Sequence, residues 1–268
     1  MTTSLRTAIV VSALAFLWSC SGEKNQQESV SGKKVLLAVF AHPDDETTVT
    51  PVLAKYAAEG VDVYLAIATD GRYGVTPHAG IPAGDSLAAA RAAELDCAAE
   101  KLGIHKPIRF NLHDQLKMQG GYGTVHGQLD TLRAEVKKLF EELKPDAVIT
   151  WGASGWTGHH DHRLVSAVVT EVYESRKWDK PTQLFYPAIP TGKLPEGSGS
   201  FATVDSTFLT VRVEASEADY EKAFQSLQCH QSQYTPEQMA GMRGTIGNAL
   251  GRETWFRPHH GTATRIFP

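Results

Sequence analysis

Two short stretches of this chain concentrate side chains able to do polar chemistry. The first is Ala41-His42-Pro43-Asp44-Asp45-Glu46, and the second, far downstream, is Gly158-His159-His160-Asp161-His162. Three consecutive acids repel one another unless positive charge sits among them. The N-terminus of a following helix supplies part of that charge. A divalent cation supplies more, and His and carboxylate are ordinary ligands for it. Alone, the first stretch fits a helix cap as well as a metal site. The second stretch breaks the tie by repeating the layout: an apolar run, a glycine-bearing turn, then His and Asp at the start of a helix. A catalytic zinc takes about three protein ligands and keeps one position open for water. His42 and Asp45, three apart across a turn, can converge on one point. One histidine of the second stretch completes a His–Asp–His set. Asp44 is then available as a base beside the metal, and the remaining histidine of the His159/His162 pair can face a substrate.

The elements that must position these residues are legible as an alternation. Residues 34–40 predict a buried strand, 47–59 a helix closed by Gly60, and 61–69 a second, β-branched strand. The Gly/Pro/His stretch up to Gly84 predicts a loop. Asp85 or Ser86 then caps an Ala-rich helix that runs to Leu102 and stops at Gly103. Strands are predicted at 107–112 and 146–151, and helices at 131–144 and 164–175. Further strands are expected at 183–186 and 206–213, a last helix at 217–229, and an irregular tail after it. Strands alternating with helices of these lengths predict a single α/β domain, a Rossmann-like, mostly parallel sheet with helices on both faces. In such a sheet, ligands bind where the carboxyl ends of the strands emerge, so both acidic loops can face one another there.

The 268 residues, 42% hydrophobic and 21% charged, suit an ordinary globular domain. A formal net charge of −4 gives no basic footprint, which excludes nucleic acid as an expected partner. No Gly-x-Gly-x-x-Gly follows the first strand, which argues against a dinucleotide site.

Residues 1–32 read as a segment apart from the domain at 33–268. A short basic start precedes an apolar run over residues 7–18, too short to span a bilayer and of the length expected for a signal peptide. Leu17-Trp18-Ser19-Cys20 resembles a bacterial lipoprotein processing box, in which Cys20 would carry the lipid. The polar residues 24–32 would then form a tether. The expectation is export to the periplasmic or extracellular face with membrane attachment through that anchor. Plain secretion is the alternative. Cys97 and Cys229 either pair in an oxidising compartment or stay as two buried thiols.

The motifs Ala41-His42-Pro43-Asp44-Asp45-Glu46 and Gly158-His159-His160-Asp161-His162 together resemble those of the LmbE/PIG-L family of zinc-dependent de-N-acetylases. The resemblance covers roughly residues 34–170 and includes Thr69-Asp70-Gly71, Arg91-x-x-Glu94-Leu95 and Leu102-Gly103. It implies zinc held by His42, Asp45 and His162, with Asp44 as general base and His159 stabilising or protonating the reacting centre. Asp161 is expected behind His159 as an orienting carboxylate. Two positions depart from the family pattern. His160 stands where the family usually has proline and offers a rival ligand. Thr157 stands where the mycothiol-pathway member has an oxyanion tyrosine, with Trp156 and Tyr73 as nearby substitutes. The implied activity is removal of an N-acetyl or N-acyl group from an amino sugar, glycan or glycolipid. An amidase acting on a thiol conjugate, or a metal- or sugar-binding module without turnover, are the alternatives.

Other residues carry two readings each. Arg72 is expected to grip a substrate hydroxyl or anionic group, against a surface arginine. Arg91 and Glu94, three apart on a helix, read as an ion pair. His113 and Asp114 read as a solvated loop, and His259-His260 as an exposed pair near the terminus.

Overall fold

Strand β1 (Val35–Phe40) is apolar throughout, and its side chains alternate between two cores. Leu36, Ala38 and Phe40 enter one, with α1 (Thr50–Ala58) and α2 (Asp85–Leu102) packed over them. Leu37, Val39 and Ala41 enter the other, covered by α3 (Tyr122–Leu143) and α5 (His160–Glu174). A strand buried on both faces needs this continuous run, as parallel sheets do. In the computed structural model the described residues are Met1, 32–194, 201–250 and 252–267, with 244–250 described by backbone alone. Lys33–Pro268 forms one compact unit. Cys20 and the apolar run before it lie outside the described residues, as do residues 195–200. No helix among the described residues is long and apolar enough to cross a membrane.

The strands are β2 (Asp62–Thr69), β3 (Ile108–Leu112), β4 (Ala147–Thr150), β5 (Gln183–Pro190), β6 (Thr203–Val204), β7 (Val211–Glu214) and β8 (Glu253–Pro258). Their order is β3-β2-β1-β4-β5-β8-β7, with β6 paired to β5. Pairs β1–β2, β2–β3, β1–β4 and β4–β5 are parallel, and β8 is antiparallel to both β5 and β7. The chain builds outward from β1 through β2 to β3, then returns to place β4 on the other side of β1. The carboxyl ends of β1 and β4 therefore flank the point where strand order reverses, the ligand crevice of an open α/β sheet.

Several predicted boundaries are corrected. The first helix splits into a 3-10 turn, Asp45–Thr48, and α1 beginning at Thr50, where Pro51 suits a first turn because its missing N–H has no partner to lose there. Helix α3 starts at Tyr122, well before residue 131, although Gly123 and Gly127 dilute its apolar pattern. The strand predicted at 206–213 is a 3-10 turn (Ser206–Phe208) followed by β7. The last predicted helix is α6 (Glu217–Leu227), opened by a reciprocal Ser216–Asp219 capping box. The irregular tail was misread: it contains α7 (Pro236–Leu250) and β8, a strand inside the sheet. Glu253 and Arg257 break its apolar run, and Gly241, Gly244 and Gly247 weaken the helical signal before it.

Candidate metal centre and active site

The loop after β1 turns sharply, and Asp44 sits at φ 109°, a left-handed conformation rare outside glycine. The following 3-10 turn aims Asp45 back at the strand end. Asp45 Oδ2 accepts the backbone N–H groups of Ala41 (3.0 Å) and His42 (2.8 Å) and the Trp151 indole N–H (3.3 Å). Its other oxygen, Oδ1, lies 3.2 Å from His162 Nε2. His162 Nε2 is in turn 3.2 Å from His42 Nδ1, and His42 Nδ1 is 3.6 Å from Asp45 Oδ2. All three residues are buried. Zinc–ligand bonds of 2.0–2.2 Å at tetrahedral angles set ligand atoms about 3.3–3.6 Å apart. The edges between His42, Asp45 and His162 run 3.2–3.6 Å, with Asp45 turning Oδ1 to His162 and Oδ2 to His42, so these side chains could hold a divalent cation, and His42, His159 and His162 also place ligand atoms within 4.8 Å of one another.

Each histidine's remote nitrogen is also fixed. His162 Nδ1 donates to the Gly155 carbonyl at 2.9 Å, which leaves Nε2 as the free donor atom. The ring stacks on Trp151 with centroids 4.5 Å apart. Gly155 has φ +62°, and a Cβ there would come 2.9 Å from the His162 Cβ, so this turn requires glycine. The one-turn helix α4 (Gly155–Gly158) carries it. On the other side, His42 Nε2 meets Asp161 Oδ2 at 3.1 Å and Asp114 Oδ1 at 3.4 Å. Carboxylates behind a metal-binding histidine fix its tautomer and raise its basicity. Asp161 therefore supports His42, not His159 as the sequence suggested. Asp161 also accepts the Gln115 N–H (2.9 Å), and Asp114 those of Tyr73 and Gln115 (both 2.8 Å). The reading of Asp114 as a solvated loop residue is corrected, because it is buried in this network.

Electrostatics agree. Burial works against a charged His42, yet hydrogen bonds to Asp114, Asp161 and Asp45 hold its pKa well above the ordinary value. Burial opposes ionisation of Asp45, but His162 and His42 pull its pKa well below the carboxylate range. Three carboxylates converging on two imidazoles make a negative well that suits a divalent cation.

His159 lies outside the triangle, with its ring 4.8 Å from His42 and 4.9 Å from His162. Its Nδ1 accepts the Asp161 backbone N–H at 3.2 Å, so the proton of the neutral ring sits on Nε2. Burial and the two neighbouring rings push its pKa down to about 4. His160 sits apart, its Nε2 2.8 Å from Asp161 Oδ1, and it is His162 that lies beside His42 and Asp45.

Asp44 is gripped from both sides. Arg91 donates to Oδ1 at 2.9 Å and Tyr234 Oη to Oδ2 at 3.3 Å. Burial raises the Asp44 pKa and Arg91 opposes the rise. Arg91 is itself buried, donating to the carbonyls of Gly71 (3.0 Å) and Pro43. A Cβ on Gly71 or Gly74 would collide with its guanidinium, which explains the Asp70-Gly71 turn. The predicted Arg91–Glu94 pair is thus corrected: Glu94 instead accepts Ser232 N and Oγ, both at 2.6 Å. Glu46, the third acid, is fully buried with its Oε1 2.6 Å from His230 Nε2.

His42, Asp44, Asp45, His159 and His162 line one cavity of about 650 Å³, together with Tyr73, Trp156, Thr157 and Tyr234. Arg72 does not line it: its guanidinium is held by Asp70 at 2.7 Å and Asp85 at 3.1 Å, which corrects its expected place beside a substrate. His259 is half-buried against Tyr186 and Glu174. Cys97 and Cys229 form a disulfide.

Residues 37–173, half of the chain, match the family model described as PIG-L: GlcNAc-PI de-N-acetylase. The chain belongs to the PIG-L family. Among its relatives is the 1D-myo-inositol 2-acetamido-2-deoxy-alpha-D-glucopyranoside deacetylase of Rhodococcus erythropolis, 35% identical over 162 residues, 55% of each chain. The chain thus spans about half the length of the curated relatives it matches. Among solved structures, N,N'-diacetylchitobiose deacetylase from Pyrococcus horikoshii superposes with a TM-score of 0.60 at 19% identity, over 92% of this chain and 91% of that one. A hydratase, GalB of Pseudomonas putida, gives 0.59 at 16%, over 86% and 98%. Structures this distant show the PIG-L fold alone, and a fold carrying both names leaves the reaction to the site.

Sequence reasoning missed Asp114 as a partner of His42, Arg91 and Tyr234 as partners of Asp44, and His230 as the counter-charge of Glu46. Gly71 and Gly74 in one short loop were the available signal for Arg91. The polar run His230-Gln231-Ser232-Gln233-Tyr234, directly after a predicted helix, was the signal for the other two.

Proposed function

We propose that this chain is an exported, zinc-dependent hydrolase that removes an N-acetyl or N-acyl group from an amino sugar or glycoconjugate. The observation that carries this reading is the His42–Asp45–His162 triangle with Asp44, a carboxylate outside it, in the same cavity. A storage site gains nothing from an additional buried acid. The names of the relatives, deacetylases of N-acetylated glucosamine compounds, support the substrate class.

His42, Asp45 and His162 would hold the zinc ion, which when bound would supply Lewis acidity toward the amide carbonyl and toward water, whose pKa it would lower toward about 7. Asp44 then takes the proton of the attacking water. Its two hydrogen bonds, from Arg91 and Tyr234, fix the carboxylate plane, so the base is oriented before substrate arrives. Attack turns the carbonyl oxygen into an oxyanion, and His159, neutral with its proton on Nε2, is the donor placed beside the cluster to stabilise it. As the C–N bond breaks, Asp44 returns the proton to the departing amine. Tyr73 and Trp156 also face this cavity, where Thr157 leaves no phenol of its own.

Export rests on the leader-like residues 7–18, and attachment at Cys20 on the processing box around it. The disulfide supports an oxidising compartment, where such bonds persist. The test is acetate release from a panel of N-acetylated sugars and glycolipids, with and without chelator, by wild type and Asp44→Asn. Chelator-sensitive release, reduced by about 10²–10⁴-fold in Asp44→Asn with metal retained, supports the reading. Release indifferent to chelator, or an unchanged rate in the variant, overturns it.

A further inference from the structure

The active-site cavity has two different walls. One is polar, with Tyr73, Arg91, Asp114, Gln115 and Gln233; the other is apolar, with Trp156, Ile189, Leu194, Phe201 and Met242. Behind the apolar wall lies a second cavity, of about 150 Å³. Tyr220, Ala223, Phe224 and Leu227 of α6 and Trp255 of β8 close it, all outside the residues matched by the family model. The two cavities share Thr47, Thr48, Trp156, Ile189 and Met242, so the same side chains border both spaces.

Three charged residues border the second space, and each is paired: Arg243 with Glu221 (2.8 Å), Arg252 with Glu217 (2.7 Å) and Glu253 with Arg212 (3.1 Å). Trp156, the largest of the shared residues, stands at φ 60°, ψ −64°, a backbone conformation costly for a bulky residue and retained where the surroundings impose it. Its indole N–H is buried without a partner among the described residues, so a ligand oxygen passing it would satisfy that donor. A cavity of about 150 Å³ has room for about one six-carbon group.

We infer that the cavity behind Trp156 receives a hydrocarbon chain of about six carbons carried by the substrate, while the sugar lies on the polar wall. The inference rests on the deacylase reading and narrows its substrate class to amphipathic molecules. Two parts of a substrate could supply the chain: an N-acyl group longer than acetyl, or an alkyl group glycosidically linked to the sugar. Only chemistry that buries methylenes gains there, and each is worth roughly tenfold or more in specificity.

Kcat/KM is measured for N-acetylglucosamine, N-hexanoylglucosamine and hexyl N-acetylglucosaminide, with wild type, Ala223→Phe and Thr254→Phe. Either hexyl-bearing substrate should exceed N-acetylglucosamine by at least about tenfold in wild type. Which of the two gains identifies the acyl or the glycoside chain as the occupant. In both variants that ratio should fall toward one, and because it is taken within one preparation, an inactive fraction cancels. Turnover of all three substrates with no preference for either chain overturns the inference and leaves the deacylase reading standing. A preference that survives in both variants also overturns it, by placing the chain elsewhere. Turnover of none overturns the deacylase reading and this inference with it.

Discussion

Two halves of the site meet at Asp44 and are built by different physics. The metal half comes from the loops after β1 and β4, strands that lie side by side at the switch point of the sheet. Its side chains need only short turns out of those strands, and backbone groups of neighbouring residues hold them: Ala41 and His42 N–H on Asp45, the Gly155 carbonyl on His162. The base half depends on Cys229–Tyr234, a strap arriving from the far end of the chain. The strap is fastened by a disulfide to α2, by His230 to Glu46, by Ser232 to Glu94 and Thr76, and by Gln233 to the Gly74 carbonyl. One half rests on local geometry and the other on long-range polar contacts. Damage to the first should remove metal from a folded protein. Damage to the second should loosen fold and base while leaving the metal in place.

The largest effect is expected for His162→Ala. Replacing even a residue behind a ligand typically costs about 10–100-fold in metal affinity or activity, and removing the ligand itself costs more. Zinc per chain should fall to background, with circular dichroism and thermal midpoint near those of metal-free wild type. Full zinc in this variant would move the ligand place to His160.

The next is His230→Ala. It leaves the Glu46 carboxylate uncompensated in a site with no exposure, a change that costs about 3–5 kcal/mol. At roughly 2–4 °C per kcal/mol for a domain of this size, the thermal midpoint should fall by about 6–20 °C. Zinc content at a temperature where the variant is folded should match wild type. Loss of zinc there would break the division into halves. Cys97→Ser with Cys229→Ser should follow at about 2–4 kcal/mol, read as a denaturant midpoint shift under oxidising conditions. A midpoint equal to wild type would show that the polar contacts hold the strap unaided.

The same division decides what the sequence disclosed. The sheet, its alternation with helices and the meeting of His42, Asp45 and His162 were legible because each is encoded locally. Apolar runs mark the strands, and His42, Asp45 and His162 sit directly after two of them. The tail resisted because β8 takes its place from antiparallel partners on both sides, so its own apolar signal stays weak. The strap resisted because Glu46 and His230, or Asp44 and Tyr234, share no spacing that a periodic pattern reveals. Spacing misled for Arg91, whose neighbour Glu94 turns to the strap while Arg91 turns to the base. Asp161 was placed in the right site behind the wrong histidine, since adjacency to His159 says nothing about which ring its carboxylate reaches.

The smallest and sharpest test is Tyr234→Phe. The ring stays, so packing in the strap is preserved, and only the hydroxyl on Asp44 Oδ2 is lost. Two consequences oppose each other. Asp44 becomes more basic without a donor that stabilises its charged form, which favours proton abstraction. It also becomes freer to rotate about the single remaining contact from Arg91, which disfavours it. A hydrogen bond to a charged group contributes about 1.5–3 kcal/mol when well formed, and at 3.3 Å this one sits at the lower end. Misplacing a base by a fraction of an ångström outweighs a gain in basicity of that size, because positioning can supply several kcal/mol of a barrier. Kcat should therefore fall about five- to tenfold, with KM and zinc content unchanged. A rise in kcat would mean that the strap restrains the base electrostatically without orienting it. A fall accompanied by zinc loss would mean that the two halves of the site are one.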